Sequence, residues 1–492
     1  MFNFHEKNGH AVYWGIGILT LTLLILAGCE NTSNSKIPIT TSSEAAKEYY
    51  LEGLDLSDKI RGQEAIYFYL KALAEDPDFA IGYLQLAFAQ TTAKGFLKYL
   101  GKAMALIDNV SPAERYWILA VQAGADVDPV AQLNYFQKIV DRHPQDERAH
   151  NLIGNLHFAR QEYPEAIKHY QQSIEINPNF SQPYNQLGYS HRRTGDYDAA
   201  VEAFKKYIEL IPDDPNPYDS YAELLLEFGK HEESIDYYNK ALEVNPRFII
   251  SHTGIATNLI LLGDHDKARE QLMTMMELAE DVGQRRQAHF ALMISYIDEG
   301  DRENALKEID EVIVLDAHRN DDANLAGDYS IKGHILLFTG EPEEALKLYE
   351  ESYEIIISSD LSQEIKYNAK WALMGFAARV AIFQEKWDEA EKYIENYTKF
   401  AVKNNNPDQI RFAHEITGML FLNTGKFELA ITKFQNANLL NPINYYWIGE
   451  AYEKLGDNDN AQTNYRQAAY ANTLNSMNYA YIRAQALAKI AP

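Results

Sequence analysis

The sequence predicts an all-α fold, an α-α superhelix of about twelve helix-turn-helix repeats. Three observations predict it. Windows beginning at 147, 181, 215 and 249 repeat with a constant period of 34 residues. Small residues recur at two fixed places, Gly154, Gly188, Ala222 and Ala256 at the eighth and Ala166, Ala200, Ser234 and Ala268 at the twentieth. A large residue recurs at the twenty-fourth, as Tyr170, Phe204, Tyr238 and Leu272. A fixed spacing of this kind marks a solenoid, whose units bury their apolar faces only by stacking on one another.

Each recurring residue has a physical task. The small pair lets two helices cross closely, and the large residue fills the wedge between repeats. Gly195, Gly229 and Gly263 end the first helix of their repeats, since glycine adopts a left-handed backbone without penalty. Pro178, Pro212 and Pro246 at the thirty-second place lack an amide proton and stop the second helix; Glu280 stands there in the fourth window. The template extends upstream to starts near 46, 80 and 112. Downstream the starts fall near 286, 326, 371, 411 and 442, at wider spacing, which places longer helices or loops around 320–325, 360–370 and 405–410. The array then covers 46–475, and 476–492 reads as a closing helix over the last apolar face.

This pattern resembles the tetratricopeptide repeat. The resemblance implies a right-handed superhelix whose inner wall is lined by the first helices. It places Arg148, Asn151, Leu152 and Asn155 of one repeat on that wall, with Gln182, Asn185, Gln186, Tyr189, Arg192 and Arg193 of the next. Amide side chains carry a donor and an acceptor each and can hold the backbone of an extended peptide. Arg192 and Arg193 suit a carboxylate, although Asp219 and Glu223 stand close enough in sequence pattern to neutralise them. Co-chaperones of this repeat class that grip heat-shock protein tails use a basic pattern from which this chain departs. Asn151, Gln186, Asn216 and Ser220 stand at its key places, so that activity is not implied.

The amino terminus reads separately. Ala11 to Ala27 is an uncharged apolar run of 17 residues, short for a bilayer span of about 20 and suited to a signal peptide. It ends in Leu26-Ala27-Gly28-Cys29, which resembles the lipobox of bacterial lipoproteins. The resemblance implies removal of 1–28 and lipidation of Cys29, with an envelope location facing the periplasm or the exterior. Glu30, where enterobacterial lipoproteins retained at the inner membrane carry Asp, favours an outer membrane. An uncleaved membrane helix is the alternative. Residues 29–45, rich in Ser, Thr and Asn, read as a lipidated flexible tether spanning roughly 20 Å.

Composition narrows the function. Asp and Glu total 71 against 45 Lys and Arg, a net charge of −26, which repels phosphate backbones and argues against nucleic acid. The single cysteine, Cys29, excludes intramolecular disulfides and paired-thiolate zinc sites. No phosphate-loop, nucleophile-elbow or HExxH motif occurs, so no catalytic residue, metal or cofactor is expected. The expectation is a non-catalytic scaffold at the cell envelope that binds other proteins or extended peptides. The alternative is a lipid-anchored receptor for glycans or peptides.

Overall fold

The computed structural model describes residues 36–490, apart from Ile60 and Asn320. The expected signal segment, Cys29 and the first part of the tether lie outside the described residues. Among the described residues there are twenty-five α-helices, one 3-10 turn and no strand. No helix there is long and apolar enough to cross a membrane.

Twelve helix hairpins follow one another. The first superhelical turn contains α1 (Glu44–Asp58) with α2 (Gly62–Glu75), α3 (Ala80–Phe88) with α4 (Ala93–Ala105), α5 (Pro112–Ala125) with α6 (Pro129–Arg142) and α7 (Glu147–Ala159) with α8 (Tyr163–Ile176). It continues through α9 (Gln182–Thr194) with α10 (Tyr197–Leu210), α11 (Asn216–Glu227) with α12 (His231–Val244) and α13 (Ser251–Leu261) with α14 (His265–Leu278). The second turn begins with α15 (Val282–Glu299) and α16 (Arg302–Arg319), then α17 (Asp322–Phe338) and α18 (Pro342–Ser358). It ends with α19 (Gln363–Phe383) and α20 (Trp387–Asn404), α21 (Pro407–Asn423) and α22 (Phe427–Gln435), α23 (Pro442–Leu455) and α24 (Asn458–Ala469), and a last helix α25 (Met477–Ile490).

The repeat residues pack more specifically than their size alone implies. A Cβ added at Gly154 would meet the Tyr170 ring at 2.7 Å, and one at Gly188 the Phe204 ring at 2.7 Å. Gly53 with Tyr69, Gly333 with Tyr349, Gly418 with Phe434 and Gly449 with Tyr465 repeat the arrangement. The eighth place is therefore small because the large ring of the same repeat lies against it, and those rings are fully buried. Gly195, Gly229 and Gly263 have φ of +78°, +71° and +85°. Val127, Gln161 and Glu385 hold the same left-handed turn without glycine. Helices α8, α10 and α12 stop two residues before Pro178, Pro212 and Pro246.

Of the longer helices or loops expected downstream, the structure has longer helices: α15 has 18 residues and α19 has 21, against 13 in α7 and α9. Residues 363–370 are the first two turns of α19. The helices α15, α17, α19 and α21 begin one or two helical turns before the expected repeat starts at 286, 326, 371 and 411. One expectation needs correction.

The flexible-tether reading fails for residues 36–43, which lie extended across the starts of the first-turn inner helices. Backbone amides of Ile37, Thr40 and Ser42 donate to Asp146 (2.7 Å), Glu114 (2.8 Å) and Asp76 (3.0 Å). Ile37 and Ile39 pack on the core, and Lys36 pairs with Glu147. Each carboxylate also serves its own junction, as Asp146 caps α7 and Glu114 closes a capping box with Ser111. Burial raises the Asp76 pKa, but hydrogen bonds from Thr41, Ser42 and Asp78 outweigh it and leave the carboxyl below its ordinary value.

The superhelix returns upon itself. Arg319 donates to the Thr91 carbonyl (3.2 Å) across 228 residues, and Arg411 to the Arg160 carbonyl (3.4 Å) across 251. Ser362 lies 3.4 Å from Asp126, and Asn472 donates to the Glu227 carbonyl (3.3 Å). At 34 residues per repeat these separations set roughly seven repeats per turn. The tight turns of the first coil thus touch the repeat junctions of the second. The closing helix α25 covers α24 as expected. It also docks on α15 at the start of the second turn, with Met477, Ala480 and Tyr481 against Met293, Ile294 and Ile297, and reaches the first coil where Arg483 donates to the Ile260 carbonyl at 3.1 Å. Arg483 clamps Asp298 through both carboxylate oxygens at 2.7 and 2.5 Å.

Two glycine substitutions separate the packing role from simple helix propensity. Gly254→Ala places a methyl 2.1 Å from the Tyr238 ring and should cost about 1–3 kcal/mol. Gly101→Ala in α4, where nothing lies within 4 Å, should be neutral or stabilising by about 0.5–1 kcal/mol. Chemical denaturation of both variants checks this; equal effects would contradict the ring-on-glycine packing.

Candidate interaction chamber

The inner wall of the first turn encloses a chamber of about 990 Å³, at the upper end of ordinary ligand pockets. Its floor is inner-helix surface, Trp117 of α5 with Arg148, Asn151, Leu152 and Asn155 of α7. Gln182 of α9 adds one wall. The opposite wall comes from the ends of α1 and α3, with Asp58, Arg61, Gln63 and Phe88. The far rim comes from later junctions, at Asp214, Arg247, Phe248 and Glu280. The curvature of the first turn brings these together, since the whole lining lies between Leu54 and Glu280, before α15 begins.

Four of the expected groove residues meet at this chamber. The Arg148 guanidinium binds Asp58 with both nitrogens (2.8 and 2.5 Å) and lies 5.0 Å over the Phe180 ring. Asn151 donates to Gln182 at 2.6 Å. Asn155 accepts from the Tyr170 hydroxyl at 2.9 Å. Asn151 Oδ1 and Trp117 Nε1 are buried and have no hydrogen-bond partner among the described residues. Unmet groups of this kind are costly in a closed core.

The other four lie outside it. Asn185 is buried, with 2% exposure. Tyr189 donates to Glu223 at 2.9 Å and sets its ring edge-on to Phe204. Arg192 is buried over the Tyr189 ring, 2.9 Å from Glu223 and 3.0 Å from Glu227. Arg193 reaches Glu227 at 3.2 Å. The two arginines are therefore already paired within the fold, by Glu223 and Glu227. Asp219, the other carboxylate expected to neutralise them, instead accepts from Ser251 at 2.6 Å.

The second coil consumes its inner-wall charges in the same way. Arg286 pairs with Asp316 and Asp328, and Arg379 with Glu415. Sequence reasoning missed Trp117, Asp58 and the far rim. Trp117 sits on an inner helix and carried a visible signal, an aromatic at an inward place. The rim residues carry none, since they face the chamber only through the curvature of the first turn.

Burial of Asp219 raises its carboxyl to about 7 from an ordinary 3.8, with Glu223 adding repulsion. The folded state holds this proton where the unfolded chain has released it. Stability from this site is therefore lost as pH rises from about 4 to 7. Asp219→Asn keeps an acceptor for Ser251 and removes the titration. Its melting temperature should exceed that of the unaltered protein by more at pH 8 than at pH 4.5; an equal difference at both pH values would place the carboxyl in its ordinary range.

Three family models match the sequence: a TPR repeat over residues 154–195 and tetratricopeptide repeats over 179–247 and 442–473. No curated protein matches. Among solved structures, one similar chain is a tetratricopeptide repeat protein from Parabacteroides merdae ATCC 43184, with TM-score 0.36 and 15% identity, covering 56% of this chain and 94% of that one. Another is MamA from Desulfovibrio magneticus RS-1, with TM-score 0.30, 18% identity and coverage of 34% and 95%. A third is YrrB, described as a TPR protein with an unusual peptide-binding site, with TM-score 0.25, 19% identity and coverage of 37% and 91%. The chain thus carries tetratricopeptide repeats at residues 154–247 and 442–473, within a series of twelve helix hairpins.

Proposed function

We propose that this protein is a non-catalytic interaction scaffold that captures an extended segment of a partner protein in the first-turn chamber. One observation carries the reading. Asn151, Asn155 and Gln182 gather on one wall beside the unmatched Asn151 carbonyl and Trp117 indole N–H. A peptide backbone offers both a donor and an acceptor at every residue and can satisfy both groups. The rim carries both signs of charge, so an entering segment is selected by more than net charge. The enclosure of the chamber favours a second reading, a receptor for a compact peptide or glycan.

We also propose that lipid on Cys29 holds the scaffold at a bacterial envelope surface, on the periplasmic or outer face. The lipobox residues Leu26 to Cys29 support this. Two or more acyl chains give stable anchoring where one is marginal.

The test is affinity purification from detergent-solubilised membranes, with mass spectrometry of what co-purifies. The comparison is Asn151→Ala with Gln182→Ala, which removes both members of one hydrogen bond and strands neither. The double variant should melt like the unaltered protein and lose a discrete partner. Retention of that partner would move the site elsewhere, and glycan-induced thermal stabilisation without a partner would favour the receptor. Cys29→Ser should abolish acyl labelling and partition into detergent; unchanged labelling would contradict the anchor.

A further inference from the structure

Repeats 1 to 3 carry a recurring group outside the chamber, lysines over tyrosine rings most of which rest with one side on the first-turn core. Lys71 of α2 lies 5.0 Å over the Tyr49 ring and 4.5 Å over Tyr67. Lys102 of α4 lies 4.9 Å over Tyr83 and 5.6 Å over Tyr99, which Lys98 also approaches at 5.1 Å. Lys138 of α6 lies 5.4 Å over Tyr116 and 5.3 Å over Tyr135. The group returns in the sixth repeat, where Lys240 sits 3.9 Å over Tyr237. Among the described residues none of these lysines has a carboxylate within ion-pairing distance; Glu52 acts on Lys71 only at longer range. That is notable in a chain with 71 acidic residues. Lysines held on tyrosine faces keep their charge available outward.

These groups share an end of the molecule with the extended segment 36–43. The tyrosines Tyr83 and Tyr116 stand near the starts of α3 and α5, and the lysines near the ends of α2, α4 and α6. The segment crosses the same junctions and is fastened at Asp146 and Glu147. From Lys36 back to Cys29 is seven residues. Covalent geometry limits that distance to about 25 Å whatever its conformation. A lipid on Cys29 would therefore be leashed to this edge. Tyr67 is 57% exposed and Leu70, one turn along α2, is 48% exposed, so repeat 1 also offers apolar surface there.

We propose that the Lys–Tyr edge of repeats 1 to 3 lies against an anionic bilayer, with the lysines on lipid phosphates and the tyrosine rings at headgroup level. The inference rests on lipidation of Cys29. It makes the anchor an orienting device, which holds one edge of the first coil to the membrane and turns the second coil away.

The experiment uses the lipidated full chain in vesicles of phosphatidylglycerol and phosphatidylcholine that contain a headgroup-nitroxide lipid. A fluorophore is placed at Asp78→Cys, in the junction before α3, or at Lys386→Cys, in the turn between α19 and α20. The label at 78 should be quenched severalfold more than that at 386. The variant Lys71→Gln, Lys98→Gln, Lys102→Gln, Lys138→Gln should lose that difference while staying on the vesicles through its lipid. Equal quenching at both sites of bound protein would overturn the proposal, as would a difference indifferent to the four lysines. A chain that carries no lipid and does not bind vesicles would overturn the anchoring reading, and this one with it.

Discussion

The architecture depends on one contact, an aromatic ring laid against a missing Cβ. In repeat after repeat the large side chain of the outer helix occupies the space a side chain would take on the inner helix. Gly154 with Tyr170 and Gly449 with Tyr465 stand far apart in sequence and share the geometry. The contact sets how closely the two helices of a hairpin approach. Because it recurs, the hairpins have nearly the same shape, and stacking them adds the same small rotation each time. The apolar core is accordingly a succession of local clusters along the coil, the largest gathered in the first repeats.

Constant rotation has a consequence that no single repeat contains. The coil closes on itself, and its second turn rests on its first through side chain-to-carbonyl hydrogen bonds. The last helix fastens the arrangement from the far end. The chamber is a product of the first turn's own curvature. Its floor belongs to inner helices, as in any solenoid, while its rim comes from later junctions of the same turn, between Asp214 and Glu280.

Period, helix count and closing helix were legible because they rest on residues whose size or backbone freedom is decisive at one place. Gly188, Phe204 and Pro212 each leave little choice. The return of the coil was not legible. Its contacts are isolated polar pairs such as Arg319 with Thr91, separated by 228 residues, and carry no pattern. The ordered segment 36–43 was hidden for a related reason. It is held by backbone amides, which every sequence possesses, and by carboxylates that already had a local task. Half of the expected groove was placed correctly on the inner wall, at Arg148, Asn151, Asn155 and Gln182. Pairing of Arg192 with Glu223 of the next repeat was among the readings the sequence allowed, whereas Glu227, which binds both Arg192 and Arg193, carried no signal.

Closure of the first coil by the second is the claim on which the two-turn architecture stands. The most direct measurement is the distance between spin labels on Asp128→Cys and Gln363→Cys, beside the contact of Asp126 with Ser362, in the lipidated chain. Closure predicts a short and narrow distribution. A long, broad distribution would mean an open superhelix whose second turn does not rest on its first.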